Sequence, residues 1–272
     1  MTLYDTHAHF SDGDDVAALY ARAAEAGVAH ILAVGGSEEL NRNALRTPGR
    51  VALGWDRDQL DDVPERMRQL LDLLDVHAAR VAAIGEIGLD GHYGPETLKA
   101  QAALFAQQLA LADARGLPVV VHTREADDAT RGVLDEVPWR HGDRLRGVIH
   151  SYTGAPAFAG KLLDRGFMVS FSGIATFTSA ETVRASARYV PDDRILVETD
   201  APYLAPVPFR GRPCEPAFVI HTARRLAAER GMDVEAFAAL TTANALSLFD
   251  RCCEGRKEIR GPLRQNSLRI LH

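Results

Sequence analysis

Cysteine is scarce in this 272-residue chain. Cys214, Cys252 and Cys253 make no even disulfide framework and no zinc-ligand spacing, which fits a reducing compartment, so a cytoplasmic location is expected. No apolar stretch approaches the roughly 18 residues that a membrane span requires. A first strand opening at Leu3 leaves no room for a basic n-region and an apolar h-region, so no secretory signal is expected either. A broadly positive surface is also missing: 31 Lys and Arg stand against 37 Asp and Glu, a formal charge of −6. That balance argues against a generally basic nucleic-acid-binding face. No Gly-x-Ser-x-Gly elbow occurs, and Ser151 and Ser172 have no evident base, which removes a serine-nucleophile reading. Neither internal repeats nor a low-complexity linker divides the chain. With 46% hydrophobic residues the length suits one barrel-sized domain.

What is present begins with Leu3-Tyr4-Asp5-Thr6-His7-Ala8-His9, a short strand whose period-2 geometry puts His7 and His9 on one face. A lone His-x-His also occurs in turns and on surfaces. Here, however, Glu86, His122, His150 and Asp200 each stand at or just past the end of another apolar run.

Those runs alternate with helical patterns. Strands are predicted over 29–36, 50–56, 81–87, 118–122, 147–151, 167–172 and 194–199, and helices over 14–26, 37–45, 63–79, 95–115, 125–137, 156–165 and 180–189. Closing helices follow over 215–230 and 234–249. Eight strands alternating with helices make an α/β protein, most economically a single (β/α)8 TIM barrel over 1–250. A doubly wound open sheet would normally carry a glycine-rich phosphate turn after its first strand, where this chain has His7 and His9. Residues 251–272 read as a basic tail, expected to be mobile, with six Lys and Arg against Glu254 and Glu258.

Barrel enzymes place chemistry at the C-terminal face of the strands. Four imidazoles and two carboxylates there exceed what one tetrahedral ion with an open position can use. Two divalent ions bridged by a carboxylate would use them all. Glu86 is the natural bridge, giving one ion His7, His9, Glu86 and Asp200 and the other Glu86, His122 and His150. Mixed imidazole and carboxylate ligation suits Zn, Mn or Fe, with Mg also compatible. Glu198 faces the same way as Asp200 and is assigned to substrate or to a ligand's support. Asp5 stands in the same relation to His7 and is expected to orient it. His30, His77, His141, His221 and His272 read as surface or helix residues.

The strings DTHAHF (5–10), GEIGLD (85–90), LPVVVHTREA (117–126), HSYTG (150–154), SGIATF (172–177) and LVETDAPYLAP (196–206) together resemble the TatD family of metal-dependent deoxyribonucleases, within the amidohydrolase superfamily. The resemblance runs from about Leu3 to Phe249. It implies a (β/α)8 barrel, two metal ions on the six residues above, and hydrolysis of phosphodiesters in DNA. Two departures concern substrate. Gly54-Trp55-Asp56-Arg57 stands where the family has Gly-x-His-Pro, an acid in place of a donor. Cys214 stands where Asn is usual in the segment Arg210-Gly211-Arg212-Pro213-Cys214-Glu215-Pro216.

The resulting expectation is a monomeric two-metal hydrolase with Asp200 and Glu86 as catalytic residues. Asp200 orients and deprotonates the attacking water, and Arg124, Arg210 and Arg212 are phosphate clamps. An ester or amide hydrolase such as an aminoacyl-tRNA deacylase is the rival, kept open by Asp56 and Cys214. Outside the tail the formal charge is about −10, so binding to long duplex should be weak and the end of a single strand is the favoured substrate.

Overall fold

A computed structural model describes residues 1–137 and 146–250. The predicted tail over 251–272, Cys252, Cys253, His141 and His272 lie outside the described residues. Strands β1 (Leu3–Ala8), β2 (Val28–Gly36), β3 (Arg50–Trp55), β4 (Val81–Asp90), β5 (Val119–Arg124), β6 (Gly147–Ile149), β7 (Phe167–Phe171) and β8 (Ile195–Val197) pair in parallel and in sequence order. Between them run α1 (Val16–Glu25), α2 (Glu38–Arg46), α3 (Val63–Val76), α4 (Leu98–Arg115), α5 (Asp127–Glu136), α6 (Pro156–Asp164) and α7 (Glu181–Tyr189), with α8 (Val219–Glu229) and α9 (Val234–Phe249) after β8. The predicted (β/α)8 barrel is the fold. The strands read as near-continuous apolar runs because helices cover them outside and side chains fill them inside; all ten residues of β4 are buried.

The ring closes between β1 and β8 through a parallel bridge of Ala8 with Ala201. There the Asp200 amide donates to the His7 carbonyl at 2.9 Å and the His9 amide to the Ala201 carbonyl at 2.8 Å. Asp5 fastens the same seam: fully buried, its carboxylate accepts the Thr199 amide at 2.8 Å and the Thr199 hydroxyl at 2.6 Å. Its contact with His7 is to the backbone amide alone, at 3.4 Å. The expectation that Asp5 orients the His7 ring is therefore corrected; it binds strand eight to strand one. At the opposite end, Leu248 and Phe249 of α9 pack with Tyr4, Leu32, Val148 and Leu196, closing the bottom of the barrel and leaving the C-terminal mouth for chemistry.

Two strands run further than the sequence suggests. β4 continues three residues past Ile87 and β5 two past His122, paired as Gly88 with His122, Leu89 with Thr123 and Asp90 with Arg124. Glu86 and His122 thus lie within strands rather than at their ends. Glycine at 88 permits this: its φ is +143°, and a Cβ there would overlap the His122 carbonyl. The closing helix expected from Glu215 begins instead with a 3-10 turn, Pro216–Phe218, ahead of α8.

Candidate metal centre

Side chains from five strands or the loops just beyond them converge at the mouth. β1 supplies His7 and, one residue past its end, His9, whose Nε2 atoms lie 3.0 Å apart. β4 supplies Glu86, whose two oxygens face different partners. Its Oε2 is 3.4 Å from His7 Nε2 and 3.3 Å from His9 Nε2, while Oε1 is 3.3 Å from both His122 Nδ1 and His150 Nε2. Those two imidazole nitrogens are 3.2 Å apart. Asp200 brings Oδ1 to 4.0 Å from the Nε2 atoms of His7 and His9. Its backbone sits at φ +60°, a conformation uncommon for a residue with a Cβ and held here by the seam hydrogen bond.

Three groupings bring one ligand atom per residue within 4.8 Å of one another: His7, His9 and Glu86; Glu86, His122 and His150; and His7, His150 and Asp200. The donor chemistry fits a divalent metal. Three rings are oriented through the nitrogen that faces away from the centre. His9 Nδ1 lies 2.9 Å from the Val34 carbonyl, to which only a protonated nitrogen can donate. His122 Nε2 lies 3.0 Å from Asp90 Oδ2, and His150 Nδ1 lies 3.3 Å from Glu198 Oε1. Each partner fixes a tautomer whose other nitrogen presents a lone pair to the centre, the arrangement that metal-binding histidines use. Glu198 also accepts the Ser151 amide at 2.8 Å, so the carboxylate lies against His150 and the backbone that follows it.

Electrostatics follow from burial and crowding. Burial lowers the His7 imidazole to about 4 and raises the Asp200 carboxyl to about 6. Burial also disfavours charge on Glu86, yet His150, His7 and His9 hold its carboxylate well below the usual range. For His150 the carboxylates of Glu86 and Glu198 outweigh burial and raise the imidazole well above its ordinary value.

Two residues at the centre escaped the sequence reading. Asp90, at the end of β4, is buried and bonded to His122. Arg57, two residues past the end of β3, reaches in beside it. Its Nη1 is 2.6 Å from Asp56 Oδ2 and 3.7 Å from Glu86 Oε1, and its Nε is 3.4 Å from Asp90 Oδ2. The family departure at Asp56 thus takes a different form from the acid-for-donor exchange that the sequence suggests, because the neighbouring guanidinium returns a positive charge to the mouth. Burial and Glu86 raise the Asp56 carboxyl to about 6. The GEIGLD string contained Asp90; no periodicity marked Arg57.

Arg124, Arg210 and Arg212 make no ion pair or side-chain hydrogen bond among the described residues. Arg124 stacks over Tyr93 at 4.9 Å and Arg210 over Phe177 at 4.1 Å, and Arg212 is exposed. Cys214 is buried, its sulfur 4.0 Å from the Thr199 carbonyl.

A closed barrel with histidines and carboxylates gathered at the C-terminal ends of its strands defines a metal-dependent hydrolase. The comparisons carry this further. Residues 4–250 match the family model described as TatD related DNase. The chain is 40% identical over 266 residues to the Escherichia coli K12 protein named uncharacterized metal-dependent hydrolase YcfH, covering 92% of this chain and 96% of that one. It is 33% identical over 249 residues to the 3'-5' ssDNA/RNA exonuclease TatD of Dickeya dadantii, covering 84% and 89%. Among solved structures, the TatD homolog YJJV from Escherichia coli K12 superposes with a TM-score of 0.82 at 29% identity, over 91% of this chain and 98% of that one. The chain belongs to the TatD family of metal-dependent hydrolases. No helix of the described residues is long and apolar enough to cross a membrane.

Proposed function

We propose that this protein is a two-metal phosphodiesterase that trims single-stranded DNA from an end. The observation that carries the reading is the division of Glu86: one oxygen faces His7 and His9, the other faces His122 and His150. A carboxylate so placed is built to be shared. His7, His9, Glu86 and Asp200 would hold one ion and Glu86, His122 and His150 the other. Bound there, two divalent ions supply Lewis acidity at the attacking and departing oxygens of a phosphodiester.

The chain's own residues do the rest. Asp200, raised to about 6 by burial, accepts at its carboxylate the proton of the attacking water as its oxygen bonds to phosphorus, and the leaving sugar oxygen takes up a proton from solvent as its ester bond breaks. Asp90, Glu198 and the Val34 carbonyl keep three imidazoles aimed at the centre. Arg57 adds a guanidinium, whose fork matches phosphate oxygens. The Dickeya relative, by its name, degrades single-stranded substrates from the 3' end, which supports the same direction here.

End-labelled single-stranded DNA and closed-circular plasmid, incubated with the manganese-loaded protein, test the reading. Progressive shortening of the labelled strand is expected. Plasmid nicking without shortening rejects end trimming, and hydrolysis of acyl esters with neither DNA activity moves the protein to the deacylase reading.

A further inference from the structure

Exposed aromatic surface on the face that carries a site can serve as a contact surface for a ligand. Among the described residues, Tyr93 is 67% and Tyr203 62% exposed. Both lie on loops that follow strands, Tyr93 after β4 and Tyr203 after β8, and so on the face that holds the metal centre. The Tyr203 ring stands 6.4 Å from the ring of His9.

Two cations accompany the aromatic groups. Arg124, the last residue of β5, lies over the Tyr93 ring, and Arg210, beyond β8, lies over Phe177, which follows β7. Neither guanidinium has a carboxylate partner among the described residues. Several other arginines of this acidic chain are paired, among them Arg22 with Glu215, Arg42 with Asp12 and Arg115 with Asp75. Glu125, next to Arg124 in sequence, is engaged by His92 at 2.9 Å.

We infer that the Tyr93–Arg124 and Phe177–Arg210 stacks, with Tyr203 beside the metal ligands, form a stacking path for the unpaired bases of single-stranded DNA. This rests on the nuclease reading and deepens it. Flat aromatic and guanidinium surfaces bind every base through its π-face, and an unpaired guanidinium also neutralises a phosphate. Two such stacks in different sectors of the mouth, over β4–β5 and over β7–β8, suit a strand drawn across the centre. A duplex keeps its base faces covered and has nothing to offer these rings. A small phosphate ester would need one contact and leave the others idle.

The test uses the full chain carrying Asp200→Asn, which is expected to cut slowly, loaded with manganese and read before the strand shortens. Anisotropy measures its affinity for a labelled oligothymidylate and for an abasic strand of equal length. The oligothymidylate should bind about tenfold or more tighter, since stacking is worth roughly that per base. Tyr93→Leu and Phe177→Leu, which keep apolar bulk and remove the ring, should each erase much of that preference and weaken abasic binding far less. Equal affinity for the two strands overturns the inference. So does a variant that weakens both equally, because that loss belongs to phosphate contact or to folding. Trimming of thymidylate and abasic strands at equal rates by the protein with Asp200 intact would sink the stacking path alone; no trimming of either would sink the nuclease reading with it.

Discussion

Arg57 Nη1 stands 3.7 Å from Glu86 Oε1, the same oxygen that His122 and His150 approach at 3.3 Å. The corresponding distances to Glu86 Oε2 are those of His7 and His9. The two halves of the centre are therefore electrostatically unequal. A unit charge at 4 Å is worth ~1–4 kcal/mol between water and a protein surface, and Asp56 at 2.6 Å and Asp90 at 3.4 Å share the same guanidinium. Manganese titration by calorimetry should show one strong and one weaker event, and Arg57→Gln should tighten the weaker one about tenfold. Two identical events in the unmutated protein would remove this role.

His122→Ala and His150→Ala should each leave about one ion per chain with the barrel folded, since both side chains belong to the mouth rather than to the packed core. Asp90→Asn and Glu198→Gln should keep two sites and weaken them, by about 10–100-fold for a lost orienting partner. Metal analysis after dialysis, beside circular dichroism, separates the two classes.

Asp200→Asn should reduce turnover of single-stranded DNA by ~10²–10⁴-fold in saturating metal, the range for losing a general base. Asp200 Oδ1 stands 4.0 Å from the Nε2 atoms of both His7 and His9, beside the position the attacking water would take. A variant within a few fold of the unmutated protein would show that the proton goes elsewhere.

Metal affinity should fall as the solution is acidified, with a sign set by the ligands. In the metal-free protein Asp200 titrates near 6, raised by burial, and His150 is held protonated by Glu86 and Glu198. Ligands must shed protons to bind, so affinity rises with pH through this window and uptake releases protons. Manganese binding at pH 5.5 and 7.5 in two buffers of different ionisation enthalpy reads both effects; a pH-independent affinity contradicts the assignment.

Asp5→Ala should destabilise the fold rather than the chemistry. It strips the Thr199 amide of its acceptor and leaves the Thr199 hydroxyl only the longer contact to the His7 carbonyl at 3.3 Å, and a buried unsatisfied donor costs ~1–3 kcal/mol. Urea unfolding should report a loss of ~3 kcal/mol. A midpoint unchanged from the parent would mean that the seam does not depend on this carboxylate.

The sequence by itself determined the barrel and its donor types. Near-continuous apolar runs such as 29–36 alternating with helical patterns leave few architectures, and strand-end histidines with GEIGLD and VETD mark where polar groups interrupt that pattern. Periodicity is a local property, so it places residues on a face without saying what they meet. What only the tertiary structure decided are meetings across the chain: Asp90 with His122, 32 residues apart, Glu198 with His150, 48 apart, and Asp5 with Thr199, 194 apart. Asp5 and Glu198 are spaced alike from the ligands His7 and Asp200, yet one fastens the seam and the other supports an imidazole. Arg57 carries no pattern at all; it reaches Glu86 because β3 and β4 lie side by side once the ring has closed. Strand register and closure fix those partners, and neither exists until the eight strands have paired.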